Sequence, residues 1–276
     1  MRALVPFASL LAMSAWLFSG CAATRNPGTG VNGNIVYSAG LSNLTGPGPD
    51  ESGKVHAVAP RSDSASFTVH YNPVDYWYGR VTFTGYTHPN QKQPWNPDFT
   101  YGFGYSDWHP GSVSVTYENY GGNRLRPSGG APMTRFQEGT VSANYKLPEA
   151  KVAALKAFHL STSVQLTPRY FDLASLEDHS SKSSMSVDLH WTIYGNWYAG
   201  TKFSYYPVHG QQQPWDPDFT YCFGYSDWHP GTWSLEYTNF APNRLPSHAP
   251  VAHPGTFRDG SLVLSYGWSL PERKKK

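Results

Sequence analysis

Charge is scarce in this chain of 276 residues: Asp, Glu, Lys and Arg make up 14% of it, against about a quarter in ordinary globular proteins. The formal net charge is +2, and the basic residues are scattered apart from the terminal Arg273 to Lys276. That leaves no basic patch of the kind nucleic-acid binding requires. Cysteine is almost missing. Cys21 and Cys222 are the only two, which excludes a disulfide framework or a cysteine-based metal centre, and no cofactor is expected. Helical periodicity is confined to PEAKVAALKAF at 148–158, so the chain reads as all-β. A single long apolar run, Ala3 to Phe18 behind Arg2, is too short and too early for a membrane helix and reads as a targeting segment.

Aromatic residues are abundant, at 16% with 19 Tyr and 10 Trp. Many sit in a run that occurs twice: QPWNPDFTYGFGYSDWHPG at 93–111 and QPWDPDFTYCFGYSDWHPG at 213–231, differing only at Asn96/Asp216 and Gly102/Cys222. Trp77 and Trp197, Pro94 and Pro214, and Arg124 and Arg244 keep the same spacing of 120 (197 − 77). A period this long is not a solenoid repeat. It predicts one fold with two similar halves, residues 34–147 and 157–270, joined by the short helical stretch.

Elsewhere the pattern alternates with period two. Val113, Val115 and Tyr117 fall on one face and Ser112, Ser114, Thr116 and Glu118 on the other, as in a strand with one apolar side. In the repeated run, Phe99, Tyr101, Phe103 and Tyr105 alternate with Thr100, Gly102, Gly104 and Ser106. Twelve strands are expected, near 34–42, 66–72, 76–86, 99–107, 112–120, 139–147, 157–167, 184–193, 197–206, 218–227, 232–240 and 260–270. Connections alternate too. Long ones at 43–65, 87–98, 121–138, 168–183, 207–217 and 241–259 collect at one rim, and short ones such as PVD, YGN and the two WHPG turns collect at the other.

An even strand number, apolar and polar faces, aromatics near strand ends and this loop asymmetry together resemble bacterial outer-membrane β-barrel proteins. The resemblance implies an antiparallel transmembrane β-barrel, internally duplicated as six plus six strands, lying in the outer membrane against its lipid. A mean hydropathy of −0.49 agrees, because lumen and loops of such barrels are polar. LFSGC at 17–21 resembles the lipobox of bacterial lipoproteins. It implies removal of residues 1–20, acylation of Cys21, a tether over 21–33, a single barrel over 34–270 and a basic tail over 271–276. Cys222 is then left without a partner, as a tolerated small residue.

Three motifs carry candidate chemistry. In SDWHPG, Asp107 and Asp227 are placed to cap backbone amides, Gly111 and Gly231 to supply the turn, and His109 and His229 to give an Asp-x-His pair without a recurrent nucleophile. In QPW[ND]PDF, two prolines stiffen Trp95 and Trp215, which read as rim anchors or as platforms for stacking a saccharide. Arg124 and Arg244 are expected to meet Asp98 and Asp218. The inward face carries Arg80, Lys146 and Lys202 against Glu118, Asp188 and Glu236, with His70, His159 and His190 nearby. Arg80 and Glu118 flank the bare strand of Gly102 and Gly104, so a salt bridge across it is expected, and Lys202 with Glu236 is expected to make a second.

Balanced lumen charge disfavours a strongly ion-selective pore. The favoured function is a non-enzymatic, porin-like channel or export barrel for a hydrophilic solute such as a saccharide. An outer-membrane enzyme acting on lipid or lipopolysaccharide is the alternative; Ser186, Asp188 and His190 share a strand face, but at alternate positions about 7 Å apart, too far for direct Ser–His contact. A lipid-tethered, carbohydrate-binding β-sandwich is the third possibility, and it has no need of the loop asymmetry.

Overall fold

Alternation of this kind has to be resolved by putting one face of every strand somewhere dry, and in the computed structural model the sheet does so by closing on itself. The structure describes residues 30–41, 63–88, 96–127, 129–148, 158–172, 177–208, 210–213, 216–227, 229–240, 243–245 and 256–270. Twelve antiparallel strands follow one another around a closed barrel. They are β1 (Gly30–Gly40), β2 (Ser64–Val74), β3 (Trp77–Tyr86), β4 (Phe99–Tyr105), β5 (Val113–Asn119), β6 (Thr140–Lys146), β7 (Phe158–Asp172), β8 (Glu177–Tyr194), β9 (Trp197–Tyr205), β10 (Phe219–Tyr225), β11 (Trp233–Asn239) and β12 (Ser261–Ser269). Each pairs with its chain neighbour, and β1 pairs with β12 from Asn32↔Ser269 to Gly40↔Ser261, so no edge is left unpaired. Closure excludes the β-sandwich.

The barrel is inside out relative to a water-soluble protein. Ile35, Phe67, Phe103, Val113, Val115, Val164, Phe203 and Leu235 are exposed on the outer wall, while Ser66, Thr82, Thr100, Ser114, Glu118, Ser142, Ser163 and Thr220 are buried on the inner one. Hydrophobic transfer out of water works against that distribution unless the outer wall meets an apolar medium.

Two boundaries differ from the sequence reading. β1 begins at Gly30, so residues 30–33 are strand rather than tether. The expected long loop at 168–183 is instead the continuation of β7 and β8, which stay paired to Asp172↔Glu177. Arg169 Nη2 lies 2.5 Å from Asp178 Oδ2 across this extension. Its sequence, PRYFD and EDHSS, has no apolar face, which is why alternation does not betray it. Residues 1–29, 149–157 and 271–276, with the targeting segment, Cys21, most of the expected helix and the basic tail, lie outside the described residues.

Short turns at one rim follow the local chemistry of their residues. Val74↔Trp77 and Tyr194↔Trp197 close two-residue hairpins, with Asp75 and Gly195 at φ 46° and 55°. The two WHPG turns place Gly111 and Gly231 at φ 80° and 87°, and their N–H groups donate to Lys146 O and Gly267 O at 2.8 Å each. A side chain at Gly231 would meet nothing within 4 Å, so the demand there is conformational rather than spatial. Replacing both glycines with Val is expected to cost roughly 1–3 kcal/mol at each turn, and to lower the yield of folded barrel measured by gel mobility with and without boiling. Replacing both with Asn, which tolerates the left-handed region, should preserve it. Equal yields for the two variants would show that backbone conformation is not what these positions require.

Candidate functional site

The inner wall concentrates the candidate residues, and β4 determines how they meet. Arg80 on β3 is in register with Gly102, and Gly102 with Glu118 on β5. With no side chain between them, Arg80 Nη2 reaches Glu118 Oε1 at 2.6 Å. A Cβ built on Gly102 would lie 2.0 Å from Glu118 Oε2, so the glycine is required by the carboxylate. Tyr78 makes the same crossing one row away, its hydroxyl donating to Glu118 Oε1 at 2.8 Å. His70 stacks on Tyr78 with centroids 5.1 Å apart. Two strands are thus cross-braced over a third that contributes only backbone.

The second occurrence keeps part of this arrangement. His190 stacks on Tyr198 at 4.9 Å, but Gly200 and Thr238 stand where the first occurrence has Arg80 and Glu118. Cys222 stands where Gly102 does, which is sterically open once the glutamate opposite is a threonine, its register partner here. The second difference between the runs has a cause as well: Asp216 takes an ion pair from Lys182, a contact particular to this copy of the run. The pairing expected between Lys202 and Glu236 is not made. Lys202 is in register with Thr220 and Glu236 with Gly224, at opposite ends of β10. Lys202 instead sits beside Asp188, and Lys146 lies at the short-turn rim, where its Nζ donates to Trp108 O at 3.2 Å.

Cys222 also departs from expectation. It is buried and disulfide-bonded rather than a partnerless thiol, and the chain's other cysteine, Cys21, lies outside the described residues.

At the long-loop rim the repeated PDF segment is fastened to the connection after the next strand. Arg244 Nη1 lies 3.2 Å from Asp218 Oδ1, and its guanidinium donates to the Asp216 and Gln213 carbonyls. Arg124 donates to the Asn96 carbonyl, while Asp98 accepts from Leu125 N at 3.1 Å. Trp95 and Trp215 lie outside the described residues. The sequence reading missed the residues that hold these connections to the outer wall. Asn119 Nδ2 donates to Tyr117 Oη at 2.9 Å and Arg135 O at 2.9 Å, and Asn123 Nδ2 to Asn119 Oδ1 at 2.9 Å. Asn239 and Asn243 repeat the pattern with Tyr237 and Thr256. Tyr117 and Tyr237 are covered by Phe136 and Phe257, with ring centroids 4.4 and 4.3 Å away. Their signal was available: these asparagines also recur at a spacing of 120.

The Asp-x-His pairs prove to be turn geometry. Asp107 Oδ1 accepts from His109 N at 2.9 Å and lies 2.7 Å from its Nδ1, while Ser112 Oγ donates to His109 O at 2.6 Å. Asp227, His229 and Thr232 do the same at 3.0, 2.6 and 2.5 Å. Partial burial raises the Asp107 carboxyl, but the His109 amide and ring outweigh it and hold the group below its ordinary value. Asp227 is held down by the same His229 contacts. His109 also packs flat on Trp108 at 3.9 Å. Each serine or threonine donates to backbone carbonyls and so is not poised by the imidazole as a nucleophile. Ser186 Oγ lies 2.6 Å from Ser163 Oγ and donates to Asp188 Oδ2 at 3.4 Å, and neither contact is to an imidazole. Among the described residues no group of three His, Cys, Asp or Glu side chains is placed to hold a metal.

No family model and no curated protein matches the sequence. Among solved structures, one described as "NanC porin structure in rhombohedral crystal form" is similar, with a TM-score of 0.37 and 10% identity over 88% of this chain and 100% of that one. At that TM-score the likeness carries no argument about activity.

The bare strand yields a quantitative expectation. Gly102→Ala should lower the temperature at which the folded band disappears on a gel, because Glu118 must move. In a Glu118→Thr background, matching the second occurrence, the same alanine should cost almost nothing. The coupling between the two changes is expected at about 1–3 kcal/mol. An equal cost for the alanine in both backgrounds would show that Glu118 does not set the requirement for glycine.

Proposed function

We propose that this chain is a non-enzymatic outer-membrane β-barrel that admits a hydrophilic solute, with a saccharide the class best suited to its lumen. The observation that carries the proposal is the inverted distribution of polarity around a closed sheet. An apolar outer wall calls for lipid, since a closed ladder leaves no backbone donor or acceptor for the bilayer to solvate. The inner wall calls for water or a polar solute. Asn34 Oδ1, Thr84 Oγ1, Thr100 Oγ1, Tyr198 Oη, Glu236 Oε1 and Ser261 Oγ are all buried without a protein hydrogen-bond partner. Groups of this kind are costly to leave unsatisfied, and water or a hydroxyl-rich solute admitted to the interior would satisfy them.

Serine, threonine and tyrosine suit neutral, hydroxyl-bearing solutes, and the Arg80–Glu118 pair neutralises itself. Weak ion selectivity follows from that neutralisation. Trp95 and Trp215 are the proposed stacking platforms at the long-loop rim. The halves are read as a duplication of six strands each. The enzyme reading is not favoured, because the Asp-x-His turns hold no poised nucleophile and Ser186 meets Asp188 Oδ2 at 3.4 Å and Ser163 Oγ rather than a histidine.

In planar bilayers the purified protein is expected to give a small, weakly ion-selective conductance that soluble oligosaccharides transiently block. Glu118→Gln should shift selectivity towards anions, because Arg80 is left unneutralised. Absence of conductance together with absence of solute uptake by liposomes would remove the channel function and leave a scaffold.

Export by the targeting segment and lipidation at Cys21 belong to the same proposal. One sulfur cannot carry both an acyl-bearing thioether and a disulfide, so the state of Cys21 decides between anchoring and a covalent link. Mass spectrometry of the mature protein should find acyl chains on Cys21, and a non-acylated peptide disulfide-linked to the one containing Cys222 would exclude the anchor.

A further inference from the structure

We infer that the connection between β5 and β6 carries a binding site for a single sugar ring, an uncharged pyranose with adjacent hydroxyls, built on Arg135 and Glu138. The inference rests on the reading of the barrel as one that admits a saccharide, and adds where at the long-loop rim such a solute is held.

This connection folds into a cup around a cavity of about 240 Å³, whose lining includes Asn123, Arg124, Pro132, Met133, Arg135 and Glu138. Cavities that take drug-sized ligands run to about 300–1,000 Å³, so this one suits a single ring. Hydrogen bonds within the protein keep the cup in shape. Arg124 N donates to Met133 O at 2.9 Å, Asn119 Nδ2 to Arg135 O at 2.9 Å and Glu138 N to Arg135 O at 3.1 Å, which lowers the ordering cost of binding. The cup is also reachable from water: Met133 is 47% exposed, and the side chains of Arg135 and Glu138 are 49% and 24% exposed. Arg135 Nη1 lies 3.0 Å from Glu138 Oε1. A Cβ built on Gly121 would lie 2.7 Å from Glu138 Oε2, so the bare glycine is what lets the carboxylate rest there.

The second half shows the same turn without this pair. Phe136–Glu138 and Phe257–Asp259 form matching short helical turns before β6 and β12. Asp259 spends its carboxylate on its own turn, where Oδ2 accepts from Thr256 N and Thr256 Oγ1 at 2.8 Å each. In the first half Arg135 stands in place of Thr256 and Glu138 in place of Asp259, and no side chain caps the turn. Glu138, longer by one methylene, reaches the guanidinium at the cavity instead. A half-exposed ion pair of this kind contributes little to stability, so the fold has small use for it. A sugar has more. Neighbouring hydroxyls accept from a guanidinium and donate to a carboxylate beside it, and Pro132 and Met133 offer apolar surface to the C–H face of the ring. The pair neutralises itself, and Arg124 directs its guanidinium at the Asn96 and Asn123 carbonyls, which favours an uncharged ligand.

The test uses the full chain folded in an amine-oxide detergent, which carries no sugar, and reads NMR saturation transfer from the protein to methyl α-D-glucopyranoside. It does not depend on conduction. The ring protons of the glucoside should be saturated by the native protein, and those of tetrahydropyran-2-methanol, a ring without adjacent hydroxyls, several-fold less. Glu138→Ala and Arg135→Ala should each weaken binding about tenfold in protein that still gives the folded band on a gel. Gly121→Ala should weaken it by pushing the carboxylate aside, whereas Asp259→Asn in the other turn should leave it unchanged. Displacement of the glucoside by inorganic phosphate or glucuronate at an equal or lower concentration would overturn the assignment to an uncharged sugar, as would a signal that survives both Glu138→Ala and Arg135→Ala. No saturation by the native protein would overturn the site even where oligosaccharides block the current, and the channel reading would then stand without it. Saturation without conductance would uphold the site and count only against the channel.

Discussion

Everything in this molecule depends on the ladder between β1 and β12. Until Asn32 to Gly40 pair with Ser269 to Ser261, both terminal strands carry a row of unpaired amides and carbonyls, which an apolar medium cannot solvate. Once the ladder is shut, backbone polarity is satisfied throughout the wall, and side-chain alternation is free to divide the residues into an apolar outside and a polar inside. The same closure makes the interior small, since the inward positions of twelve strands share one enclosed space. That is why Ser, Thr and Gly dominate them, and why a single long side chain there has consequences for its neighbours.

Those consequences explain how the two occurrences of a nineteen-residue run can be almost identical and still behave differently. Gly102 is bound to Glu118 by sterics, and Glu118 to Arg80 by charge, so the three positions change together. The second run has Cys222, Thr238 and Gly200 at the corresponding places. A difference that looks minor in the sequence, glycine in one run and cysteine in the other, therefore goes with a salt bridge spanning three strands that is made beside Gly102 and has no counterpart at Gly200 and Thr238. Asn96 and Asp216 are the reverse case, since Asp216 of the second run makes an ion pair with Lys182 at the rim. Neither difference lies in the turn residues, because Asp107, His109 and Gly111 are fixed by local hydrogen bonds that do not depend on the interior.

Face and strand number were legible in the sequence because period-two alternation reports them directly: Arg80, Glu118, Asp188, Lys202 and Glu236 all point inward. Position along the barrel axis was not. Arg80 and Glu118 happen to share a row with Gly102, whereas Lys202 and Glu236, read by the same rule, fall at opposite ends of β10. Parity says which wall a side chain is on, and only the register says which neighbours it has. The β7–β8 extension was hidden for a different reason. Beyond the apolar belt both faces of a hairpin meet water, so PRYFD and EDHSS carry no alternation to read. Asn119 and Asn123 were hidden by their chemistry, since their partners are backbone carbonyls and a tyrosine hydroxyl contributed by a connection whose path no periodicity predicts.

The inequality of the halves bears on what the barrel is for. A wall whose only requirement was to stand would have no reason to keep a buried carboxylate without a base, and replacing Glu236 with a threonine, as at Thr116 in the first half, would relieve the cost. The first half, already neutralised by Arg80, braces the sheet over the bare strand. The two halves of the wall therefore differ in how buried charge is compensated, by the Arg80–Glu118 salt bridge in the first, while Glu236 Oε1 in the second has no hydrogen-bond partner.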